Sequence, residues 1–295
     1  MGRKTQREDD FSWIITENLM ESAKEYSKGD FPEGVVSLGA VLDAKELPRK
    51  SMKKLFDEKL VFVNDKKANP QTEVKEGYVV RLAMAKEKID YDLEPMELHV
   101  LYENHDILIL DKPAGITVNS PNQLSIANGV AQYFLDNKIK RKIRFLNRLD
   151  RDTSGCIIIS KSGLAQSYYQ QELENNTLEK WYTATVEGVI TAEKGTLQFP
   201  MKKHDDGIHY EVSDDGKYTR TDYVVVNRGT DTTDVSIRLM TGKTHQIRVA
   251  FSHIGHPLVG DTLYGAQPTK EPFALRAVKL VFNNMRNGEK VVVEA

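Results

Sequence analysis

Cys156-Ile157-Ile158-Ile159 is an uninterrupted apolar run, and the nine residues before it, Asn147-Arg148-Leu149-Asp150-Arg151-Asp152-Thr153-Ser154-Gly155, carry four charges. A short apolar run of this kind is a buried strand. Any fold that buries it must bring the charged loop to the edge of its core. There the carboxylates and guanidiniums are either solvated or assembled into a working site. Asp150 lies between Arg148 and Arg151. An opposite charge nearby favours the carboxylate form, so Asp150 is expected to be ionised and able to act as a nucleophile. On these residues alone, a solvated turn held by an ion pair explains the stretch as well.

Around this stretch the chain alternates strands and helices. Ile107-Leu108-Ile109-Leu110 is a second buried-strand run, closed by the turn Asp111-Lys112-Pro113-Ala114-Gly115. The segment from Ile126 to Leu135 has amphipathic helical spacing, and the one from Lys161 to Asn175 predicts a helix packed through Leu164, Ser167, Tyr168 and Gln171. Between the first of these helices and the loop lies the densest basic cluster, with Lys140, Arg141, Lys142 and Arg144, where a phosphate-binding role is expected. Lys180 to Gly188 alternates and is rich in β-formers, so it is a strand. Residues 195–229 are short strands and hairpins, with turns at Asp205-Asp206-Gly207 and Asp214-Asp215-Gly216. Thr244 is placed to cap a short helix carrying Arg248, and Val291-Val292-Val293 closes the chain as a strand.

The first part of the chain has a different character. Residues 11–84 are expected to form a small unit of their own, and 85–97, charged and containing Pro95, a linker to a larger domain at 98–295. A helix is predicted to begin near Pro48. Met52, Leu55 and Phe56 would form its buried face, leaving Arg49, Lys50, Lys53 and Lys54 outside. A strand over Leu60–Val63, a turn at Asn64-Asp65, a turn over Val74–Gly77 and a final strand follow.

Composition removes several classes. A single cysteine, Cys156, allows no internal disulfide and no cysteine zinc cluster. His204 and His209 lack partner ligands, and His245, His253 and His256 have no standard zinc spacing, so no metal is expected. There is no glycine-rich phosphate loop or dinucleotide fingerprint. Met1 to Gln6 has no apolar stretch behind it and Gln6 breaks the myristoylation pattern, so with no membrane span a cytoplasmic monomer is the default. A net charge of −2 means that any nucleic-acid contact must come from local basic patches.

The nine-residue stretch closely resembles the signature of the RluA family of pseudouridine synthases, His-Arg-Leu-Asp, two variable residues, Thr-Ser-Gly. Asn147 stands where the family has histidine. Further blocks follow in the family's order: Lys112-Pro113-Ala114-Gly115, Lys180-Trp181-Tyr182-Thr183-Ala184, Thr241-Gly242-Lys243-Thr244-His245-Gln246-Ile247-Arg248 and Gly255-His256-Pro257-Leu258. Lys243 replaces an arginine, and Arg276 replaces a histidine. The front unit is similar to the S4 RNA-binding module, with departures at Glu58-Lys59, Asp65 and Tyr78.

The resemblance implies an α+β protein: a mainly antiparallel mixed-sheet synthase domain preceded by a small S4-like α+β domain. It implies isomerisation of uridine in RNA to pseudouridine, a reaction without redox change that requires no cofactor, in keeping with the absent phosphate and dinucleotide motifs. Asp150 would be the nucleophile and Arg248 its partner. Tyr182 would stack on the base and take the C5 proton. Arg148 would fill the gap left by the flipped nucleotide or hold a phosphate. An S4-like front end points to large-subunit ribosomal RNA, with transfer RNA as the other candidate. Two other readings compete. A glycoside hydrolase would need Asp150 and Asp152 to flank a bond, and both lie on one tight turn. An RNA-binding protein with a silent catalytic domain is suggested by Asn147 and Arg276.

Overall fold

The computed structural model describes residues 10–120, 123–270 and 272–295. The reading of Met1–Gln6 lies outside them. The front unit comprises β1 (Phe11–Ile14), α1 (Glu17–Lys24), β2 (Val36–Ser37), α2 (Leu38–Ala44), α3 (Arg49–Asp57), β3 (Val61–Val63), β4 (Lys66–Lys67), β5 (Glu73–Val74) and β6 (Val79–Leu82). Its sheet has the order β1-β6-β3-β4, with β2 and β5 paired separately. Pro48 caps α3 with extended backbone, and Met52 and Leu55 are its buried residues. Asn64 and Asp65 form the two-residue β3–β4 hairpin with φ of 46° and 62°. A right-twisted hairpin of that length needs φ > 0 at both central residues, which Asn and Asp tolerate best after glycine. Lys59, after α3, is also left-handed, at φ 56°. Asp65 and Lys59 thus adopt the backbone conformation that a glycine would take.

The larger part comprises β7 (His99–Glu103), β8 (Ile107–Lys112), α4 (Ile126–Asp136), β9 (Arg144–Phe145), β10 (Ser154–Ser160), α5 (Gly163–Glu174), β11 (Glu179–Glu187), β12 (Lys194–Lys203), β13 (Tyr210–Val212), β14 (Lys217–Arg228), β15 (Thr232–Leu239), α6 (Gln246–His253), a 3-10 turn (Thr262–Tyr264), β16 (Leu275–Asn283) and β17 (Lys290–Glu294). Among the described residues, eleven strands join one sheet of order β13-β12-β14-β15-β11-β16-β10-β8-β7, with β17 on β16 and β9 on β10. Its ladders are antiparallel except for β10 on β16. This is the mixed, mainly antiparallel α+β architecture expected.

The apolar runs Ile107–Leu110 and Cys156–Ile159 are adjacent and fully buried, and their strands pair directly. Gly155 opens β10 at φ 108°, and a Cβ there would lie 2.0 Å from the Ala277 carbonyl oxygen. Only glycine permits that approach, so the charged loop is anchored where β10 meets β16. On α5 the buried face is Leu164, Ala165 and Tyr169, whereas Gln171 is exposed. Of the expected stripe, Leu164 is buried, Ser167 and Tyr168 are half-buried, with Tyr168 against the core, and Gln171 faces out.

Residues 85–97 contain no helix or strand, yet they are not a loose tether. Glu87 N–H donates to the Lys140 carbonyl at 2.9 Å. Asn128 Nδ2 donates to the Asp92 carbonyl at 3.1 Å, and Met96 packs against Gly129 of α4. The front unit also touches the larger part: Ser51 Oγ donates to Ser167 Oγ, and Arg286 bonds both the Asp10 carbonyl and the Asp106 carboxylate.

Candidate active site

The loop between β9 and β10 is held from both ends before it presents Asp150. The Asn147 side chain donates from Nδ2 to the Cys156 carbonyl (3.1 Å) and accepts from the Ile158 N–H (2.8 Å). With one N–H of its NH2 group donating and its carbonyl oxygen accepting, the primary amide extends the β9–β10 ladder as a peptide group would. Lys112, fully buried, donates to the carbonyls of Pro113, Ile116 and Arg151. It thereby ties the turn after β8 to the loop carrying Asp150. Burial lowers its pKa to about 8, while the Asp152 and Asp150 charges oppose that shift.

Asp150 meets Arg248 of α6: Nη1 donates to Asp150 Oδ2 at 3.3 Å. The same guanidinium makes a two-pronged pair with Asp261, both bonds 2.7 Å, and Asp261 is 1% exposed. It also lies over Phe273 (4.4 Å) and Tyr264 (4.9 Å). Burial works against the Arg248 charge, but the Asp261 and Asp150 carboxylates outweigh it and leave the pKa above its ordinary value. Asp261 fixes the plane of the fork, and the remaining nitrogen is aimed at Asp150. His245 stands on the same side, its Nε2 3.8 Å from Asp150 Oδ2 and its Nδ1 bonded to the Tyr264 hydroxyl at 2.7 Å. Burial lowers its pKa first, partly offset by Asp150. His245, not Thr244, is the residue that caps α6, and it does so in the left-handed region without a side-chain capping bond.

The flanking arginines do not pair with Asp150 as expected. Arg151 turns outward to Asp152 at 3.0 Å, and Arg148 is exposed with no ion pair among the described residues. Tyr182 of β11 is buried beside Asp150 in a cavity of about 50 Å³, also lined by Arg148, His245 and Arg248. This opens into a second cavity of about 610 Å³, and the two share Arg148, Asp150, Tyr182, Leu239 and Lys243. Burial, and after it the Asp150 charge, raises the Tyr182 pKa, so its phenol keeps its proton.

The basic residues separate into two groups. Lys50 and Lys53 of α3 are exposed, as are Arg49, paired with Asp43, and Lys54, paired with Glu58. Lys140 and Lys142 are also exposed. Arg141 is buried and donates to the Ala85 and Lys140 carbonyls, and Arg144 pairs with Glu87. Two of the four cations of this cluster are thus engaged internally, contrary to the expectation of a uniform phosphate-binding run. Arg276 bridges Asp111 (2.7 Å) and Ser154 (3.1 Å) without touching Asp150. His204 and His209 sit half-exposed on their hairpin around Asp206. No cluster of three or more possible metal ligands occurs among the described residues.

Sequence reasoning missed Asp261, Lys112 and the part played by Asn147. Asp261 lies in the block Gly260-Asp261-Thr262, which has no periodicity to mark it as buried. The signal available was physical: a carboxylate set among apolar and glycine residues needs a cationic partner if it is buried.

A profile of the family described as RNA pseudouridylate synthase matches residues 106–253. The Bacillus subtilis protein named "Uncharacterized RNA pseudouridine synthase YlyB" is 35% identical over 246 residues, covering 80% of this chain and 81% of that one. The ribosomal large subunit pseudouridine synthase D of Yersinia pestis is 33% identical over 227 residues, covering 75% and 69%. Among solved structures, human RNA pseudouridylate synthase domain containing 1 shares the fold with a TM-score of 0.57 at 24% identity, covering 69% of this chain and 86% of that one.

Proposed function

Because this chain belongs to the RNA pseudouridylate synthase family, we propose that it converts uridines of large-subunit ribosomal RNA to pseudouridine with Asp150 as its nucleophile. In that isomerisation the N1–C1′ bond breaks, the base turns, and a C5–C1′ bond forms. The proton on C5 leaves and N1 gains one, so no net oxidation occurs. A uridine stacked in its helix cannot reach a half-buried carboxylate, so the nucleotide is flipped into the cavity beside Asp150. The observation that carries the reading is the Asp150–Arg248–Asp261 chain. It keeps a negative oxygen aimed into a cavity with an aromatic wall.

Arg248 holds Asp150 in its attacking orientation. Tyr182 stacks on the base. As a proton acceptor it would first have to lose its own proton, which its surroundings oppose. Stacking is therefore its role here. Arg148, exposed at the rim, fills the gap left by the flipped nucleotide or meets a phosphate. Arg49, Lys50, Lys53 and Lys54 on α3, with Lys140 and Lys142, contact phosphates and position the RNA without reading its sequence. The division into an S4-like unit at 11–84, a strap at 85–97 and a catalytic unit at 98–295 belongs to the same reading. So does action in the cytoplasm, where large-subunit ribosomal RNA is met.

The ribosomal preference rests on relatives named for the large subunit. The silent-domain reading loses its motive, since Asn147 and Arg276 are both engaged away from Asp150. A glycosidase reading fails because Asp152 is turned to Arg151. The test is to incubate total RNA from a deletion strain with the protein and map pseudouridine chemically. New pseudouridine in large-subunit RNA is expected. Modification confined to transfer RNA would overturn the substrate assignment, and no modification in any RNA would overturn the activity.

A further inference from the structure

Among the described residues three lysines of the larger part are buried, Lys112, Lys161 and Lys180, and Lys161 is paired with Glu103 and bonded to the Asn104 carbonyl. The Lys112 ammonium meets three carbonyl oxygens and is thereby satisfied. Lys180, near the start of β11, is 8% exposed, yet its ammonium has no hydrogen bond or ion pair among the described residues. Its position is fixed by Gly242: a Cβ on that residue would lie 3.4 Å from Lys180 Nζ. The ammonium thus sits under the loop between β15 and α6, on the wall of the cavity of about 610 Å³. Burial lowers its pKa to about 8, and no neighbouring carboxylate counters the shift. The stem is buried while the ammonium faces the cavity, partly desolvated and with no carboxylate paired to it among the described residues. Such a residue is a candidate for binding.

The rest of that cavity points to the ligand. Arg148 and Lys243 are exposed on its rim with no ion pair among the described residues. Of its two carboxylates, Asp150 is held by Arg248, and Glu174 accepts from Gln170. The cavity therefore presents three cations against one carboxylate, Glu174, that has no cationic partner among the described residues, directly beside the proposed nucleophile. We infer that Lys180, with Arg148 and Lys243 at the rim, is a subsite for a phosphodiester next to the flipped uridine. This rests on the RNA-modifying reading above. A phosphate that enters supplies the missing counter-charge to Lys180, so affinity and register are set at the same point.

The test uses the full chain and labelled decauridylate as probe, with K180M and K180Q beside the wild type. Affinity is measured from low to moderate salt, together with the thermal midpoint of each protein. K180M is expected to weaken binding roughly tenfold and to flatten the plot of log affinity against log salt by about 0.7, the value for one phosphate contact on a single strand. Its thermal midpoint is expected to equal or exceed that of the wild type, because an uncompensated charge has been removed. In turnover on a ribosomal transcript the loss should fall on KM, with kcat retained. K180Q serves the same reading should K180M aggregate. Unchanged affinity and salt slope in both variants would overturn the proposal. So would a lowered midpoint in both, which would make Lys180 a structural residue. If the wild type makes no pseudouridine, the activity falls, while the decauridylate measurement still decides the subsite.

Discussion

The Asp150 loop divides two charged regions of the molecule. Toward α6, Asp150, Arg248, Asp261, His245 and Tyr264 form a connected network in which Arg248 satisfies two carboxylates and lies over two aromatic rings. Toward β11, Arg148, Lys180 and Lys243 line a cavity and make no ion pair among the described residues. The first region is complete without a ligand and fixes geometry. The second is incomplete and gains its counter-charge from outside. A reaction that needs a rigid nucleophile and a large polyanionic substrate needs both, and the fold provides them on opposite sides of one loop.

The closed region is the one most sensitive to subtraction. Asp261→Asn leaves Arg248 buried with half its charge compensation. The expected loss is roughly 3–5 kcal/mol in chemical denaturation, the usual consequence of removing one partner of a buried pair. An Asp261→Asn protein as stable as the wild type would dissolve the distinction between the two regions. A smaller loss, about 1–3 kcal/mol, is expected for Arg141→Ala, which leaves the Ala85 carbonyl without its donor.

The open region makes the opposite prediction through pH. The folded pKa of Lys180 is lowered to about 8 from the usual 10.5. Between those values the unfolded chain binds more protons than the folded one, so stability rises with pH across that window. Lys180→Met should reduce this rise without abolishing it, because Lys112 titrates with the same sign. A rise of unchanged size would show that the Lys180 ammonium is already compensated. The smallest effect is expected on the outer surface. Lys140→Ala and Lys142→Ala should each change stability by less than about 0.5 kcal/mol while flattening the salt dependence of RNA binding.

Much of this is legible in the sequence. The apolar runs at 107–110 and 156–159 became adjacent buried strands, and the buried face of α3 followed from its periodicity. The convergence of Asp150, Tyr182 and Arg248 came from the order of several motif blocks, not from spacing. What stayed hidden was which cation meets which anion. Arg148 and Arg151 looked like the partners of Asp150 because they are its sequence neighbours, whereas Arg248 lies 98 residues away. Arg141 and Arg144 looked like surface charge because the linker that covers them, around Glu87, is more than fifty residues upstream. Lys180 sat in a strand pattern that tells which face a residue is on, not whether its charge is matched.

The central claim is tested most directly by Asp150→Asn, which keeps the shape of the side chain and removes the attacking charge. Pseudouridine formation in large-subunit ribosomal RNA should be followed in a single turnover at saturating protein, with RNA affinity measured in parallel. The rate is expected to fall by at least about a thousandfold while affinity changes less than tenfold. A variant that still forms pseudouridine at a rate near that of the wild type would contradict the account.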